Sequence, residues 1–142
     1  MDMIHEQHKA GGLPRVRVSD CMHAGILSCA SDTPLAEVAT MMTEHRIHAV
    51  AVVDHDGGRP VGIVSDLDVV AAAASGTESS ALQAAATEPV TVSARESLHR
   101  AAQLMAEHGV AHLVVLDAAG GYPVGVLSTL DVAAAYAGVT SK

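Results

Sequence analysis

The 142-residue chain has no tryptophan, no phenylalanine and only two tyrosines. Its core must therefore come from Val, Ala, Leu, Ile and Met. Positive charge is also scarce, with 8 Lys and Arg against 16 Asp and Glu and a formal charge of −8. No basic block is present, which argues against nucleic acid or an anionic membrane as a partner. No apolar run approaches the length of a membrane span, and Met1 to Lys9 lack the apolar stretch of a signal peptide, so the expected location is cytoplasmic. The two cysteines, Cys21 and Cys29, form no Cys-x-x-Cys motif and read as small buried hydrophobes rather than a disulfide. Catalytic signatures are missing too. Ser65 and Ser128 lack a Gly-x-Ser-x-Gly elbow, and there is no Gly-x-x-x-x-Gly-Lys-Ser/Thr loop for a magnesium nucleotide. The expectation is a protein that is not an enzyme.

What the chain does have is a motif written twice. Pro60-Val61-Gly62-Ile63-Val64-Ser65-Asp66-Leu67-Asp68 returns 63 residues later as Pro123-Val124-Gly125-Val126-Leu127-Ser128-Thr129-Leu130-Asp131. Each copy is a β-branched run passing into an alanine-rich segment, a strand that becomes a helix. Ser-x-x-Asp at the junction fits a capping box. The glycine three residues before each serine suggests more, because it leaves the strand end bare beside a helix N-terminus. A hydroxyl, a carboxylate and free N–H groups would then converge, a plausible grip for a ribose and a phosphate.

The repeat extends well beyond the motif. Leu35 to Ala74 aligns with Leu98 to Ala137 without a gap, and roughly half the positions are identical. Asp32-Thr33-Pro34 starts a helix with proline in its first turn and Leu35, Val38, Ala39 and Met42 on its apolar stripe. Ala49–Asp54 and Pro60–Ser65 form a hairpin around His55 to Arg59, and the next helix carries Leu67, Val70, Ala71 and Ala74 on one face. In the second copy Ala81 to Ala86 reads as a short helix and Val90-Thr91-Val92 as a strand. Leu98, Ala101, Ala102 and Met105 then form a helical stripe, followed by a hairpin and a closing helix. Before the first copy, Ile26 to Cys29 reads as a brief strand. The expected fold is mixed α/β (α+β): two strand-helix-strand-strand-helix repeats packed about a pseudo-two-fold axis, each covering the sheet face the other leaves open. The boundaries read as a mobile leader over 1–13, repeats over 14–76 and 77–138, and a tail over 139–142.

With its doubled Gly-h-h-Ser-x-x-Asp (h being apolar) and Met-x-Glu-His-x-[Ile/Val] helix ends, the chain resembles a tandem pair of cystathionine-β-synthase (CBS) domains, a Bateman module standing almost alone. The resemblance covers about Arg15 to Gly138. It implies adenosyl ligands (AMP, ADP, ATP or S-adenosylmethionine) in one or both clefts between the repeats, with no cofactor required. It assigns phosphate to Ser65 and Ser128, and ribose hydroxyls to Asp68 and Asp131. The neighbouring motif positions Gly62, Val64, Asp66, Gly125, Leu127 and Thr129 belong to the same candidate sites. Adenine would lie against Leu27, Ser28, Cys29, His48, Ala49 and Val50 in one cleft. In the other it would meet Val90, Thr91, Val92, Ala111, His112 and Leu113. The resemblance further implies a homodimer, and any output of a regulatory module would pass to a separate effector protein. The alternative is a structural adaptor whose clefts are vestigial and whose helices bind a partner.

Nine histidines invite a metal reading, yet no His-x-x-x-His pair comes with a third ligand. His45 and His108 fall at matching helix ends, where an imidazole bonds the last carbonyls. His48 and His112 are offset by one position between the copies, and two readings stay open for each, a cleft wall or the end of a strand. Charge separates the ligands. Leu67 and Leu130 stand where members holding several phosphates often have arginine, and Asp66 follows Ser65 where Thr129 follows Ser128. One like charge at about 4 Å costs on the order of 4 kcal/mol at an effective dielectric near 20. AMP, adenosine or cationic S-adenosylmethionine should therefore bind better than ATP, with the second cleft more tolerant of phosphate. Only Arg46, Arg59, Arg95 and Arg100 offer local counter-charge.

Overall fold

The computed structural model describes residues 12–24, 27–54, 58–119 and 121–138. Most of the leader, the tip of the first hairpin and the tail fall outside these. The chain runs α1 (Val18–Cys21), β1 (His23–Ala24), β2 (Ser28–Ala30), α2 (Leu35–His45), β3 (Ala49–Val53), β4 (Pro60–Ser65) and α3 (Asp66–Ser75). It then runs α4 (Ala81–Ala84), β5 (Ala86–Thr87), β6 (Thr91–Ser93), α5 (Leu98–His108), β7 (His112–Leu116), β8 (Pro123–Ser128) and α6 (Thr129–Ala137). The two expected repeats are β2-α2-β3-β4-α3 and β6-α5-β7-β8-α6. In each, the first two strands pair in parallel and the hairpin strands pair antiparallel.

Alternation along the strands divides the side chains between two destinations. Val50, Val52 and Val64 point to the helices and form one core with Leu35, Val38 and Met42. Leu113, Val115 and Leu127 do the same with Leu98, Ala101 and Met105. The opposite faces meet each other, where Ala49, Ile63 and Val114 are buried with Leu116 and Val126 against them.

The segments ahead of the repeats are exchanged. Strand β1 precedes the first repeat but pairs with β8 of the second, His23 opposite Val126 and Ala24 opposite Gly125. Strand β5 precedes the second repeat but pairs with β4 of the first, Gly62 opposite Thr87 and Ile63 opposite Ala86. The short helices follow them. Val18 of α1 is fully buried in the second repeat's core, and Ala81 of α4 is fully buried in the first repeat's. Backbone bonds fix both arms symmetrically: the Leu98 N–H donates to Val16 O and the Val18 N–H to Glu96 O. Leu35 N–H to Ser79 O and Ala81 N–H to Thr33 O repeat the pattern 63 residues away.

Four local expectations change. The helix read over Ala81–Ala86 stops at Ala84, because Ala85 is extended and Ala86–Thr87 is drawn into the sheet. Pro34 is the N-cap of α2, with extended backbone angles, rather than a first-turn residue. The strand near Ile26 is Ser28–Ala30, and Ile26 lies outside the described residues. Finally, the Leu67 and Val70 face of α3 is turned outward, 71% and 59% exposed, and the residues packed on the core are Val69 and Ala72. Leu130 on α6 is likewise 69% exposed. No helix among the described residues is long and apolar enough to cross a membrane.

Candidate functional site

At both strand-to-helix junctions the motif closes into a full capping box. The Ser65 hydroxyl accepts from the Asp68 N–H at 3.3 Å, while Asp68 Oδ2 accepts from the Ser65 N–H at 2.8 Å and from its hydroxyl at 3.1 Å. Ser128 and Asp131 repeat this at 3.2, 2.8 and 3.0 Å. The first helical N–H is spoken for as well. Asp66 donates to His48 O and Thr129 to Ala111 O, each at 3.0 Å. The free N–H groups expected there are thus largely engaged within the protein. The serines and aspartates do converge, and each carboxylate commits a single oxygen to the box.

The expectation that the motif glycines leave the strand bare for a ligand is overturned. A Cβ at Gly125 would stand 2.7 Å from the His23 carbonyl oxygen and 2.7 Å from Met22 Sδ, and one at Gly62 would stand 3.0 Å from Ala85 Cβ. Glycine is needed at both places because the exchanged arm lies against it.

An open cavity of about 290 Å³ lies between the repeats. Leu27, Ile47, His48 and Ala49 line it from the first repeat, and His112, Val126 and Ser128 from the second. His23 and Ala24 of the arm and His45 at the end of α2 complete the wall. Its size is at the low end of small-molecule sites, about 300–1,000 Å³. An apolar wall thus faces a motif serine across the repeat boundary, and the wall of one repeat meets the motif of the other.

Five of the sequence-selected residues line this cavity, Leu27, His48, Ala49, His112 and Ser128, although His112 is expected from the sequence in the other cleft. Others are placed elsewhere. The side chains of Cys29, Val50 and Val64, and of Val92, Leu113 and Leu127, belong to the helix-side cores, so only their backbones can meet a ligand. Ser28, Ala111 and Thr129 are exposed, Val90 and Thr91 half-buried, and Ser65, Asp68 and Asp131 half-buried in and beside the capping boxes. The sequence reading did not select His23, Ala24, His45, Ile47 or Val126. Nothing in the chain signals that an arm from one repeat reaches the other, so His23 could not be placed beforehand.

Four imidazoles give the cavity its polar character. His48 Nδ1 is 2.9 Å from Asp66 Oδ2, and this bond, chiefly, holds the Asp66 carboxyl below its usual range. His23 Nδ1 is 3.5 Å from Asp131 Oδ2. His45 Nδ1 meets Met41 O at 3.0 Å, as His108 meets Leu104 O, the helix-end bonding expected of both. Burial pushes the His112 imidazole down, while Asp66, Asp131 and Asp68 pull the other way. Arg59 and Arg100 are taken up by Asp54 at 3.6 Å and Glu107 at 3.5 Å. Among the described residues, no three of His, Cys, Asp and Glu are arranged to hold a metal ion.

The CBS domain profile matches residues 18–75 and again 82–138. The chain belongs to the CBS-domain family. It is 28% identical over 104 residues to the uncharacterized protein MJ1404 of Methanocaldococcus jannaschii, spanning 71% of this chain but only 24% of that relative's length. The CBS domain pair of protein MJ0100, crystallised with 5′-methylthioadenosine and S-adenosyl-L-methionine, superposes with a TM-score of 0.79 at 22% identity, over 88% of this chain and 98% of that one. CBS domain protein PAE2072 from Pyrobaculum aerophilum, complexed with AMP, gives 0.73 at 31% identity over 82% and 89%.

Proposed function

We propose that this CBS pair is a regulatory module that binds an adenosyl compound in the cleft between its repeats and passes the signal to a separate protein. The observation that carries it is the inter-repeat cavity, where Leu27, Ile47 and Ala49 offer an apolar wall opposite the motif hydroxyl of Ser128. The ligands in the MJ0100 and PAE2072 structures, two adenosyl thioether or sulfonium compounds and AMP, support that chemistry. We assign ribose to Asp131 beside Ser128, and the same roles to Asp68 and Ser65 across the pseudo-axis. With no lysine or arginine among the described residues around the cavity, adenosine, AMP or S-adenosylmethionine should exceed ATP in affinity.

The outward Leu67, Val70 and Leu130 faces of α3 and α6 support a two-fold dimer of modules. They serve equally as the surface of an effector, which would read the ligand only if its contacts differ between the free and bound states.

Thermal melts with adenosine, AMP, ATP and S-adenosylmethionine test the reading. A ligand that binds only the folded state contributes about 2.7 kcal/mol at a hundred times its Kd. With two tyrosines and no tryptophan, a co-purified adenine would also dominate the ultraviolet spectrum. Melting temperatures unmoved by millimolar ligand, together with silent calorimetry, would leave the adaptor role as the reading of this chain.

A further inference from the structure

Of the ten described residues around the cavity four are histidines, and none is lysine or arginine. The 63-residue offset makes this a property of one cleft. It carries His23 onto Ala86 and His48 onto Ala111, so the pseudo-symmetric cleft has methyl groups in place of two of the imidazoles. Among the described residues, the polar contacts of His23, His45 and His48 run through Nδ1, to Asp131, Met41 O and Asp66. That leaves each Nε2 for a guest. His112 stands half-buried between the repeats, and the charged groups acting on it are Asp66 and Asp68 at the start of α3, Asp131 at the start of α6, and His48. On the arm, Cys21 is held neutral by burial and by the nearby Asp20 and Asp131 carboxylates. With neutral rings the cavity is bordered by carboxylates alone. With protonated rings it presents several donors and a positive field, the conditional cation that imidazole supplies between about pH 5 and 8.

We propose that His23, His48 and His112 make this cleft select its ligand by charge under proton control, admitting a 5′-phosphate when the rings are protonated and only uncharged or cationic adenosyl compounds when they are not. The inference rests on the adenosyl reading above. Burial opposes a proton on His112, whereas a bound phosphate favours it, so phosphate and proton uptake reinforce one another.

The test is calorimetric titration of the full chain with adenosine and with AMP between about pH 5.5 and 8, the range in which imidazole changes charge. It compares wild type, the His23→Ala/His48→Ala double variant and His48→Arg, with His112→Asn as an independent third. His23 and His48 are 66% and 70% exposed, so their replacement leaves the cores intact. The readout is the ratio of AMP to adenosine affinity, in which the ionisation of AMP itself is common to every variant. In wild type the ratio should rise on acidification about tenfold more than in the double variant, the scale of one or two partly solvated charge pairs. The His48→Arg variant should favour AMP already at the alkaline end, with a flatter profile. Equal pH slopes in wild type and the double variant would overturn proton gating while leaving adenosyl binding in place. Binding of neither ligand at any pH would overturn the adenosyl reading and the inference with it.

Discussion

If the motif glycines exist to admit the exchanged arms, adding one methyl group should damage the two positions unequally. At Gly125 a Cβ meets the His23 carbonyl oxygen and Met22 Sδ, each at 2.7 Å. The methionine side chain can swing away, but the carbonyl belongs to β1 and moves only with the arm. At Gly62 the nearest atoms are Ala85 Cβ at 3.0 Å and Ala86 O at 3.1 Å, a conflict relieved by a few tenths of an ångström. Overpacking costs about 1–3 kcal/mol, and replacing a strand glycine by alanine returns about 0.5–1 kcal/mol. Gly125→Ala should therefore lose roughly 1–2 kcal/mol and Gly62→Ala at most about half of that. At about 3–5 °C per kcal/mol for a chain of this size, the first variant should melt some 3–10 °C lower. Urea denaturation followed by far-ultraviolet circular dichroism is the assay of choice, since no tryptophan reports on unfolding. Because β1 carries His23 and Ala24 into the cavity wall, Gly125→Ala should also weaken the adenosyl ligand. A Gly125→Ala protein as stable as wild type, or more stable than Gly62→Ala, would refute the exchanged-arm account of the motif.

Three further outcomes follow from the same geometry. Since burial lowers the folded His112 imidazole below its ordinary value, the unfolded chain binds more protons between the two values, so stability there rises with pH and is lost on acidification below about 6.5. His112→Asn should flatten that acid limb in denaturant titrations at several pH values. Paired Leu67→Glu and Leu130→Glu changes at outward sites should leave chain stability within about 0.5 kcal/mol and convert a dimer to monomers by light scattering. Asp131→Asn keeps an oxygen that can accept from the Ser128 N–H, so it should leave much of the capping box in place and weaken the adenosyl ligand roughly tenfold through loss of a charge-assisted bond. Calorimetry should show the smaller effect for Asp68→Asn, whose partner serine does not line the cavity.

The duplication, the strand and helix order and the face-to-face packing were legible because they rest on patterns that survive as sequence: a fixed offset, period-2 strands and the Leu35, Val38, Met42 stripe. The arms were not. Helix α1 has four residues and β1 and β5 have two each, too few to show any period, and what holds them lies in the other repeat. Ala81–Ala86 was read as one helix because alanine favours helix locally; the edge of β4, more than twenty residues back, decides otherwise. Helix α3 misled for a related reason. A segment apolar nearly all round has no polar side to mark its exposed face, so Leu67 and Val70 read as core when Val69 and Ala72 fill that place.

The same crossing of the chain reassigns the charge argument. Asp66 was expected to burden the first cleft because it follows Ser65, but the Leu27 wall faces Ser128, and Thr129 is the residue that follows it. Asp66 reaches that cavity through His48, whose ring it holds, and through its charge acting on His112. The observed cavity draws its apolar wall from the first repeat and its hydroxyl from the second, and the 63-residue offset assigns the converse to its pseudo-symmetric counterpart. A substitution in either copy therefore touches both clefts, in different roles. Asp66→Thr would free His48 beside one cleft and remove a like charge next to Ser65 in the other. On the proposed adenosyl reading, phosphate tolerance would be a property of the pair, set by how the two copies differ at 23/86, 48/111 and 66/129, and neither repeat read alone would contain it.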